Sequence, residues 1–436
     1  MLNTDNPVFL KEKIIGLLKG INYEDPLVKY RGLKALRLTQ LISGQKVDLP
    51  ISIIIDVFYT LYLPFISLKN LDEIPKDKKQ YYFLLDSLLK SSFIHVIKSR
   101  TVLDTLMSCL ATGILIPELK RILEDIGRKS SEIKSSIDYE KEVKKEIDRT
   151  LSSLSKDLDN VKKLRSLIEG DQAGSLSMIA YEEYGPELVK LARNIEVRKI
   201  LEQLTGVKPW MFRIEKRRQR FKHGEILGYE FGRDIERIVP SNLLLPNELF
   251  YIKYLNNKLL LYQKAVTEGK GSLYVLVDKS GSMDGVKITW AKAVALSLYM
   301  RAIRENRDFY FRFFDSIPYS LCKVERRRRV KQALRLIEYI ASVKGSGGTD
   351  ITRSIVTACS DIRSSNVSGV NDIVLITDGV DRIAEQVVRY NLKKANARLI
   401  TVMIMGDNES LRKVSAKYFT VIKLSQKDIL QVVEVD

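Results

Sequence analysis

Cysteine and histidine are scarce in this sequence. Its 436 residues include 3 Cys and 2 His. Cys109, Cys322 and Cys359 lie far apart and form no CxxC spacing, so the sequence predicts neither a zinc site nor a disulfide framework. His95 and His223 lie outside the sheet-forming region of the sequence, and no GxSxG motif is present. A Ser-His-Asp hydrolase would lack its base, and we predict no catalytic residue.

Motifs for nucleotide hydrolysis and for membrane insertion are also lacking. Without a GxxxxGK[ST] loop, intrinsic nucleotide hydrolysis is not expected. The first residues lack the basic-then-apolar layout of an export signal, so we expect a cytoplasmic protein. Residues 49–68 are strongly apolar, but Asp56 near their middle and the bracketing Pro50 and Pro64 leave too short a run to span a bilayer. This segment is predicted to be a buried core helix, and no membrane contact is expected.

Positive charge is what the sequence has in excess. Lys and Arg number 72 against 54 Asp and Glu, which gives a formal net charge of +18 at pH 7. Such an excess fits either a polyanionic partner or a well-solvated surface, and both interpretations stay open. The charged fraction of 29%, together with the few histidines, is compatible with a thermophilic source.

Residues 1–205 have the apolar spacing of helices. Apolar residues recur at steps of three and four, with few strand-like alternations. We predict an all-α helical domain over residues 1–205, with a long helix or helical hairpin near 115–168. A narrow apolar seam in that segment suits a helix that packs on one partner. The seam consists of Ile147, Leu151, Leu154, Leu158 and Val161.

Residues 206–270 differ in composition from the helical region. Gly206 and Pro209 interrupt the helical pattern. We predict a basic connector, followed by a lead-in helix over residues 246–266 that has Pro246 in its first turn. The basic residues of the connector are candidate contacts for nucleic acid or for an acidic partner. They are Lys216, Arg217, Arg218, Arg220 and Lys222.

From residue 271 to residue 436, apolar strands alternate with amphipathic helices. This alternation is typical of a mainly parallel sheet with helices on both faces, so we predict a doubly wound, Rossmann-like α/β domain. The segment FFDSIPYS, residues 313–320, contains a tight turn and predicts one antiparallel edge strand. Folds of this class place their sites at the carboxyl ends of strands, near the point where strand order reverses.

Oxygen-bearing side chains follow three of these predicted strands. The segments are LYVLVDKSGSMDG, KGSGGTDI and LITDGVD, and the residues are Asp278, Ser280, Ser282, Thr349 and Asp378. Because glycines in the same segments allow close backbone approach, we expect the five side chains to converge. Hard oxygen ligands of this number suit Mg²⁺ or Mn²⁺. Each segment taken alone also fits a helix cap, the role that we assign to Asp350 and Asp381.

The segments DKSGSM, GGTD and TDG resemble the three parts of the metal-ion-dependent adhesion site of von Willebrand factor A (VWA) domains. The resemblance covers roughly residues 271–436. It implies that Ser280, Ser282 and Thr349 contact the ion through their hydroxyls, and that Asp278 and Asp378 act mainly through ordered water. It also implies an open coordination position, which an Asp or Glu of a partner protein fills.

Residues 228–263 resemble the region that leads into the A domain of CoxE- and ViaA-type proteins, which carry a helical N-terminal part and a C-terminal A domain. The resemblance implies a non-enzymatic, metal-dependent protein–protein adaptor. The partners it implies are a MoxR-type AAA+ ATPase and the client of that ATPase. The pair would act in maturation of protein complexes or in metal-cofactor insertion.

Two other functions stay open. RNA-binding proteins of the Ro type also join stacked helices to an A domain, and the basic clusters at 216–222 and 326–331 fit RNA binding. The second cluster equally fits the exposed first turns of a sheet-covering helix, and few aromatic residues accompany the basic ones. The remaining possibility is a regulatory scaffold that binds acidic partners without any ATPase.

Overall fold

The computed structural model describes residues 14–75, 78–129, 136–169, 178–206, 218–267, 270–325, 329–365, 369–379 and 381–434. The chain divides into two compact units, Met1–Glu202 and Gln203–Asp436. Buried apolar side chains form a core in each of them.

Helices build the N-terminal unit, as the spacing of its apolar residues predicts. They are α1 Pro26–Ser43, α2 Ile51–Tyr62, α3 Lys79–Lys90, α4 Ile94–Thr101, α5 Thr105–Lys129, α6 Ser136–Glu169, α7 Met178–Arg193 and α8 Ile195–Gln203. Helix α1 begins where the Asp25 carboxylate accepts a hydrogen bond from the Leu27 amide at 2.8 Å. It ends at Gly44, whose φ of 67° lies in the left-handed region. The predicted all-α N-terminal region is confirmed.

Helix α2 is the strongly apolar segment of the sequence. Its residues 52–61 are all buried, and the helix packs against α1 and α5. Within the described residues, no helix combines the length and the apolarity needed to cross a bilayer. The prediction of a buried core helix is confirmed.

Helix α6 carries the predicted apolar seam. All five of its seam residues are at most 2% exposed. Helix α6 packs against α5 and α7, so two long helices, α5 and α6, occupy the segment near 115–168. The seam is therefore the contact stripe of a helix within a helical layer.

A buried carboxylate ties the start of the described chain to α2. Asp56 is fully buried and accepts hydrogen bonds from the Tyr23 hydroxyl and, at 3.0 Å, from the Leu17 amide. Burial raises the pKa of the Asp56 carboxyl to about 6, although both hydrogen bonds oppose the shift. The helical core thus holds an acid that changes charge near neutral pH.

The C-terminal unit contains a two-stranded antiparallel sheet and a doubly wound α/β sheet. Its elements are β1 Arg218–Gly232, α9 Pro240–Leu243, α10 Asn247–Leu255, β2 Leu259–Thr267, β3 Lys270–Asp278, α11 Val286–Arg304, β4 Phe309–Phe314, β5 Cys322–Val324, α12 Arg329–Ser342, α13 Ile351–Ser364, β6 Val370–Thr377, α14 Glu385–Lys394, β7 Ala397–Ile404, α15 Glu409–Val414, β8 Lys417–Val421 and α16 Gln426–Val433. The strand order is β5-β4-β3-β6-β7-β8, and β5 pairs antiparallel while the other pairs are parallel. The predicted α/β class with an antiparallel edge strand is confirmed.

The lead-in helix is shorter than the sequence predicts. Helix α10 ends at Leu255, and β2 then pairs antiparallel with β1. Asn257 adopts a φ of 54°, which interrupts the helix, and Leu259 and Leu261 are then buried on one side of the strand. The prediction of one helix over 246–266 is wrong, because alternate residues rather than helical neighbours are buried after Lys258.

Helices cover both faces of the large sheet. Helix α11 contacts β3, β4, α12 and α16, whereas α13 contacts β3 and α14. On the α13 side, Tyr274 and Leu276 share one cluster of buried side chains with Ile355 and Val388. Strand β3 lies between β4 and β6, so strand order reverses beside it. The carboxyl ends of β3 and β6 therefore border the position where sites form in this fold class.

Paired charges stabilise the opposite, amino-terminal edge of the sheet. Arg307 is 3% exposed and donates to the carbonyl oxygens of Gly271 and Ser272 at 2.7 and 2.8 Å. It also donates to the Asp372 carboxylate at 2.8 Å, and Arg398 donates to the other oxygen of Asp372. Because these charges are paired and hydrogen-bonded, their burial costs far less than that of isolated ions.

Replacing Asp56 with Asn should remove a pH dependence of the N-terminal unit. Since the folded state holds the Asp56 proton more tightly than the unfolded chain, the free energy of unfolding should fall as pH rises from about 4 to about 6. The fall should be on the order of 3 kcal/mol in the native chain. Asp56→Asn should lose this component, as measured by urea unfolding followed by circular dichroism at several pH values. Equal slopes in the two proteins would contradict this account of Asp56.

Candidate metal centre

Three loops meet at the carboxyl edge of the sheet. They are residues 279–285 after β3, residues 343–350 before α13, and residues 378–384 after β6, of which Val380 lies outside the description. Two backbone hydrogen bonds join the first two loops: the Gly281 amide donates to the Gly347 carbonyl at 3.0 Å, and the Ser346 amide donates to the Lys279 carbonyl at 2.6 Å. The backbone itself therefore holds the first two loops together.

Asp278 is the buried anchor of this edge. Its side chain ends β3 and is 0% exposed. Oδ1 accepts a hydrogen bond from the Ser280 amide at 2.8 Å, and Oδ2 accepts one from the Thr377 hydroxyl at 2.6 Å. Burial raises the pKa of the Asp278 carboxyl, while these hydrogen bonds oppose the rise. The carboxylate thus fixes the end of β3 to the end of β6.

A chain of side-chain oxygens leads outward from Asp278. The hydroxyl oxygens of Ser280 and Ser282 lie 3.1 Å apart, and the Ser282 hydroxyl donates to Asp378 Oδ1 at 2.7 Å. Ser280 is buried and Ser282 is exposed. The chain therefore runs from the buried sheet edge to a position that solvent reaches.

Thr349 completes the set from the loop before α13. A Cβ atom placed on Gly379 would lie 3.2 Å from Thr349 Cγ2 and 3.7 Å from Asp278 Oδ2. Both side chains therefore flank the same glycine, and a larger residue at 379 would enter the space between them. The Thr349 hydroxyl forms no hydrogen bond with any described residue. It is left available for a ligand.

The donor set fits a small divalent cation. Two oxygen ligands at right angles around Mg²⁺, each about 2.1 Å from the ion, would lie about 3.0 Å apart. The Ser280 and Ser282 hydroxyl oxygens, 3.1 Å apart, already have that separation. In the part of the chain that the structure describes, no three His, Cys, Asp or Glu side chains are grouped to hold a metal. A cation at this edge would instead have two carboxylates and three hydroxyls around it.

Lys287 is a neighbour of the site that the sequence did not indicate. It lies in the first turn of α11, and its Nζ donates to Asp378 Oδ2 at 2.6 Å and to the Ser282 carbonyl at 3.2 Å. The helix dipole disfavours a lysine at a helix N-terminus. The lysine in the first turn of α11 was therefore a signal in the sequence that this residue has a role other than helix formation. Its ammonium neutralises a carboxylate whose side chain is 3% exposed.

Lys279, between Asp278 and Ser280, organises the glycine-rich loop. Its Nζ pairs with Asp315 Oδ2 at 3.1 Å and donates to the Ser346 hydroxyl at 3.1 Å. Gly347 has a φ of 98°, and a Cβ there would lie 2.6 Å from Asp315 Oδ2. The loop that carries Thr349 therefore packs directly against this ion pair, and Gly347 is required both for its φ and for the close approach.

The two acids assigned to capping differ. Asp350 caps α13 as predicted, since its carboxylate accepts from the Arg353 amide at 2.9 Å. The assignment of Asp381 is wrong: Ala384 occupies the N-cap of α14. Helix α14 begins at Glu385, four residues after Asp381, and the Asp381 carbonyl instead accepts a hydrogen bond from the Asn408 side chain at 2.8 Å.

The predicted basic contacts of the connector stay predictions. Lys216 and Arg217 lie outside the described residues, and Arg218, Arg220 and Lys222 belong to β1 without described side chains. Arg326, Arg327 and Arg328 also lie outside the described residues, and α12 follows from Arg329.

Several known proteins are similar in sequence to this chain, and the first of them aligns over parts of both units. An uncharacterized protein of Methanocaldococcus jannaschii is 28% identical over 328 residues, which cover 71% of this chain and 73% of the relative. Regulatory protein ViaA of Edwardsiella ictaluri is 27% identical over 218 residues, 44% of this chain and 41% of ViaA. A putative VWFA domain-containing protein of Acidianus two-tailed virus is 26% identical over 167 residues, 35% of this chain and 17% of the viral protein.

The C-terminal unit has a VWA-like fold. A von Willebrand factor type A protein from Catenulispora acidiphila aligns with a TM-score of 0.31 and 20% identity, over 39% of this chain and 43% of that protein. No family model matches the chain.

Thr377→Val should destabilise the VWA-like unit by about 1–3 kcal/mol, because it leaves one oxygen of the buried Asp278 carboxylate without a donor. Thr420→Val is the matched control, since Thr420 is an exposed residue of β8 and undergoes the same chemical change. Thr377→Ser, which keeps the hydroxyl, should recover most of the loss. The measurement is chemical unfolding followed by tryptophan fluorescence, with Trp290 buried in the unit. Equal losses at positions 377 and 420 would count against the anchoring role.

Proposed function

We propose that this chain is a non-enzymatic adaptor whose VWA-like unit binds Mg²⁺ or Mn²⁺ and, through it, an acidic residue of a partner protein. The observation that carries the proposal is the continuous chain of oxygens from Asp278 to Asp378, with Thr349 beside it. We assign cation binding to Asp278, Ser280, Ser282, Thr349 and Asp378. A bound cation would supply a Lewis-acidic position that accepts a carboxylate.

The charges of the donor set favour an acidic partner. Three of the five groups are neutral hydroxyls, and one of the two carboxylates, Asp278, is buried and satisfied by Thr377 and Ser280. The exposed side of the set is formed by Ser282, which leaves room for a group from outside. An Asp or Glu of a partner would add the missing negative charge and gain specificity from the required distance.

Cysteine chemistry is an unsuitable alternative at this unit. Burial raises the pKa of the Cys322 and Cys359 thiols to about 11, so both are protonated at neutral pH and poorly nucleophilic. Cys359 is a residue of α13 and belongs to a buried side-chain cluster rather than to the sheet edge. A binding role fits the site better than a reaction.

We further propose a MoxR-type AAA+ ATPase and its client as the partners. The support is the similarity to a protein named as regulatory, ViaA, in an alignment that covers 44% of this chain. An adaptor can influence an ATPase only if it binds one conformation of the ATPase more tightly than another. A cation that needs a correctly placed carboxylate would provide such discrimination.

Thr349→Ala should weaken Mn²⁺ binding by about tenfold or more, because one oxygen ligand is lost. The fold should be unaffected, since the Thr349 hydroxyl has no partner among the described residues. Thr357→Ala in α13 is the control, and its hydroxyl bonds only within the helix among described residues. Electron paramagnetic resonance of free Mn²⁺ measures the affinity.

Co-purification with the cognate AAA+ ATPase in Mg²⁺ and in EDTA tests the partner. The proposal predicts loss of the ATPase in EDTA and in Thr349→Ala, but not in Thr357→Ala. Binding that is unchanged by EDTA would contradict the metal-dependent adaptor. Metal-dependent capture of other acidic proteins without the ATPase would support the scaffold instead.

A basic concavity in the N-terminal unit favours RNA binding as a second candidate function. Its volume is about 790 Å³, and its lining includes Phe93, Lys144, Lys145, Lys156 and Arg198. Arg198 pairs with Asp157, whereas the three lysines have no ion-pair partner among the described residues. Unpaired lysines around an aromatic ring suit single-stranded nucleic acid.

Replacing Lys144, Lys145 and Lys156 with Ala should lower the salt dependence of RNA binding. If each lysine contacts one phosphate, the slope of log affinity against log salt should fall by about 2. Alanine at three exposed lysines elsewhere, Lys90, Lys199 and Lys413, should leave the slope unchanged. Filter binding to single-stranded RNA at several salt concentrations gives the slopes. An unchanged slope in the first variant would exclude this surface.

A further inference from the structure

A positively charged side chain already lies among the ligands assigned to the cation. Lys287 Nζ is 2.6 Å from Asp378 Oδ2 and 3.2 Å from the Ser282 carbonyl oxygen. The side chain of Asp378 is 3% exposed and that of Lys287 is 28% exposed. The ammonium therefore reaches from the solvent side to a carboxylate that is otherwise enclosed.

Both oxygens of Asp378 are engaged in this arrangement. Oδ1 accepts from the Ser282 hydroxyl at 2.7 Å, and Oδ2 accepts from Lys287. The ammonium of Lys287 thus already neutralises the charge of Asp378. Two of the five assigned cation ligands, Ser282 and Asp378, take part in this arrangement. A divalent cation entering beside Ser282 would meet a positive charge a few ångströms away.

We propose that Lys287 is a built-in counter-ion that competes with the divalent cation for Asp378 and keeps the cation affinity of the isolated protein low. The inference rests on the proposed function, because it assumes the same cation site. The lysine stem is flexible and partly exposed, so the ammonium can leave Asp378 when a cation arrives. The released ammonium then remains at the exposed rim, where a partner's carboxylate can pair with it.

The competition makes cation and partner binding cooperative. Cation entry places two positive charges close together at the N-terminus of α11, where the helix dipole adds further positive potential. An incoming carboxylate relieves this repulsion. The partner therefore strengthens cation binding, and the cation strengthens partner binding by the same factor.

A purely structural role for Lys287 predicts the opposite result. If the Lys287–Asp378 pair only held α11 against the loop after β6, its loss would loosen the ligands and weaken cation binding. If Lys287 competes, its loss leaves an enclosed carboxylate without a counter-charge, which raises the affinity of that carboxylate for a cation. The sign of the change distinguishes the two roles.

The test is Mn²⁺ binding to the full chain without a partner, measured by electron paramagnetic resonance. Lys287→Met, which keeps the length of the stem, should bind Mn²⁺ about tenfold more tightly than the native chain. Lys287→Arg retains the charge and should stay close to native. Lys413→Met is the control, because it removes an exposed lysine that pairs with Glu409 at 3.0 Å, on α15. Circular dichroism checks folding, and Lys287→Gln replaces the Met variant if that one is unfolded.

Equal or weaker Mn²⁺ binding by the Met variant, in a chain where Thr349→Ala reduces binding, would overturn the competition and leave the cation site intact. If neither the native chain nor the Lys287 variants bind Mn²⁺ at millimolar concentration, the cation site and the competition both fail. Tighter Mn²⁺ binding by both Lys287→Met and Lys413→Met would show an effect of the lower net charge of the protein rather than of a specific counter-ion. That result would also overturn the inference.

Discussion

A fully buried carboxylate at the end of the central strand is the constraint on which the rest of this site depends. Asp278 can be enclosed only if both of its oxygens receive hydrogen bonds, since an unsatisfied buried charge is costly. The donors come from two places, the Ser280 amide two residues along the chain and the Thr377 hydroxyl on the neighbouring strand. Satisfying one side chain therefore fixes the loop after β3 and aligns the end of β6 beside it.

The loop before α13 is held by a different interaction. Lys279 and Asp315 form an ion pair in which both side chains are less than 10% exposed, and Gly347 packs against it. Lys279 thereby connects the loops after β3 and β4 with the loop before α13, whose Thr349 lies next to Gly379. Organisation of the hydroxyl groups is thus built into the protein rather than left to a ligand, which reduces the entropy lost on binding.

The sequence predicted the sheet because its strands are short apolar runs between amphipathic helices, and it predicted the five candidate ligands because they follow strand ends. It did not predict β2, since LLLYQ is compatible with a helix until the turn at Asn257 is known. Lys287 was missed for another reason. Its position in the first turn of a helix was a local signal, but its partner Asp378 lies 91 positions away, and motif spacing does not identify that partner. Asp381 was misassigned because helix starts are uncertain by a few residues.

The hydrogen bond from Thr377 to Asp278 spans 99 positions of the sequence. On a translating ribosome, the stretch that begins at Asp278 emerges well before the strand that supplies its donor, and chain closure over such a distance carries an entropic cost. Until β6 docks, the Asp278 carboxylate stays hydrated and the oxygens around it are scattered. Cation binding would then require that β6 has docked beside β3, so chains that end before β6 would not bind partners that require the ion.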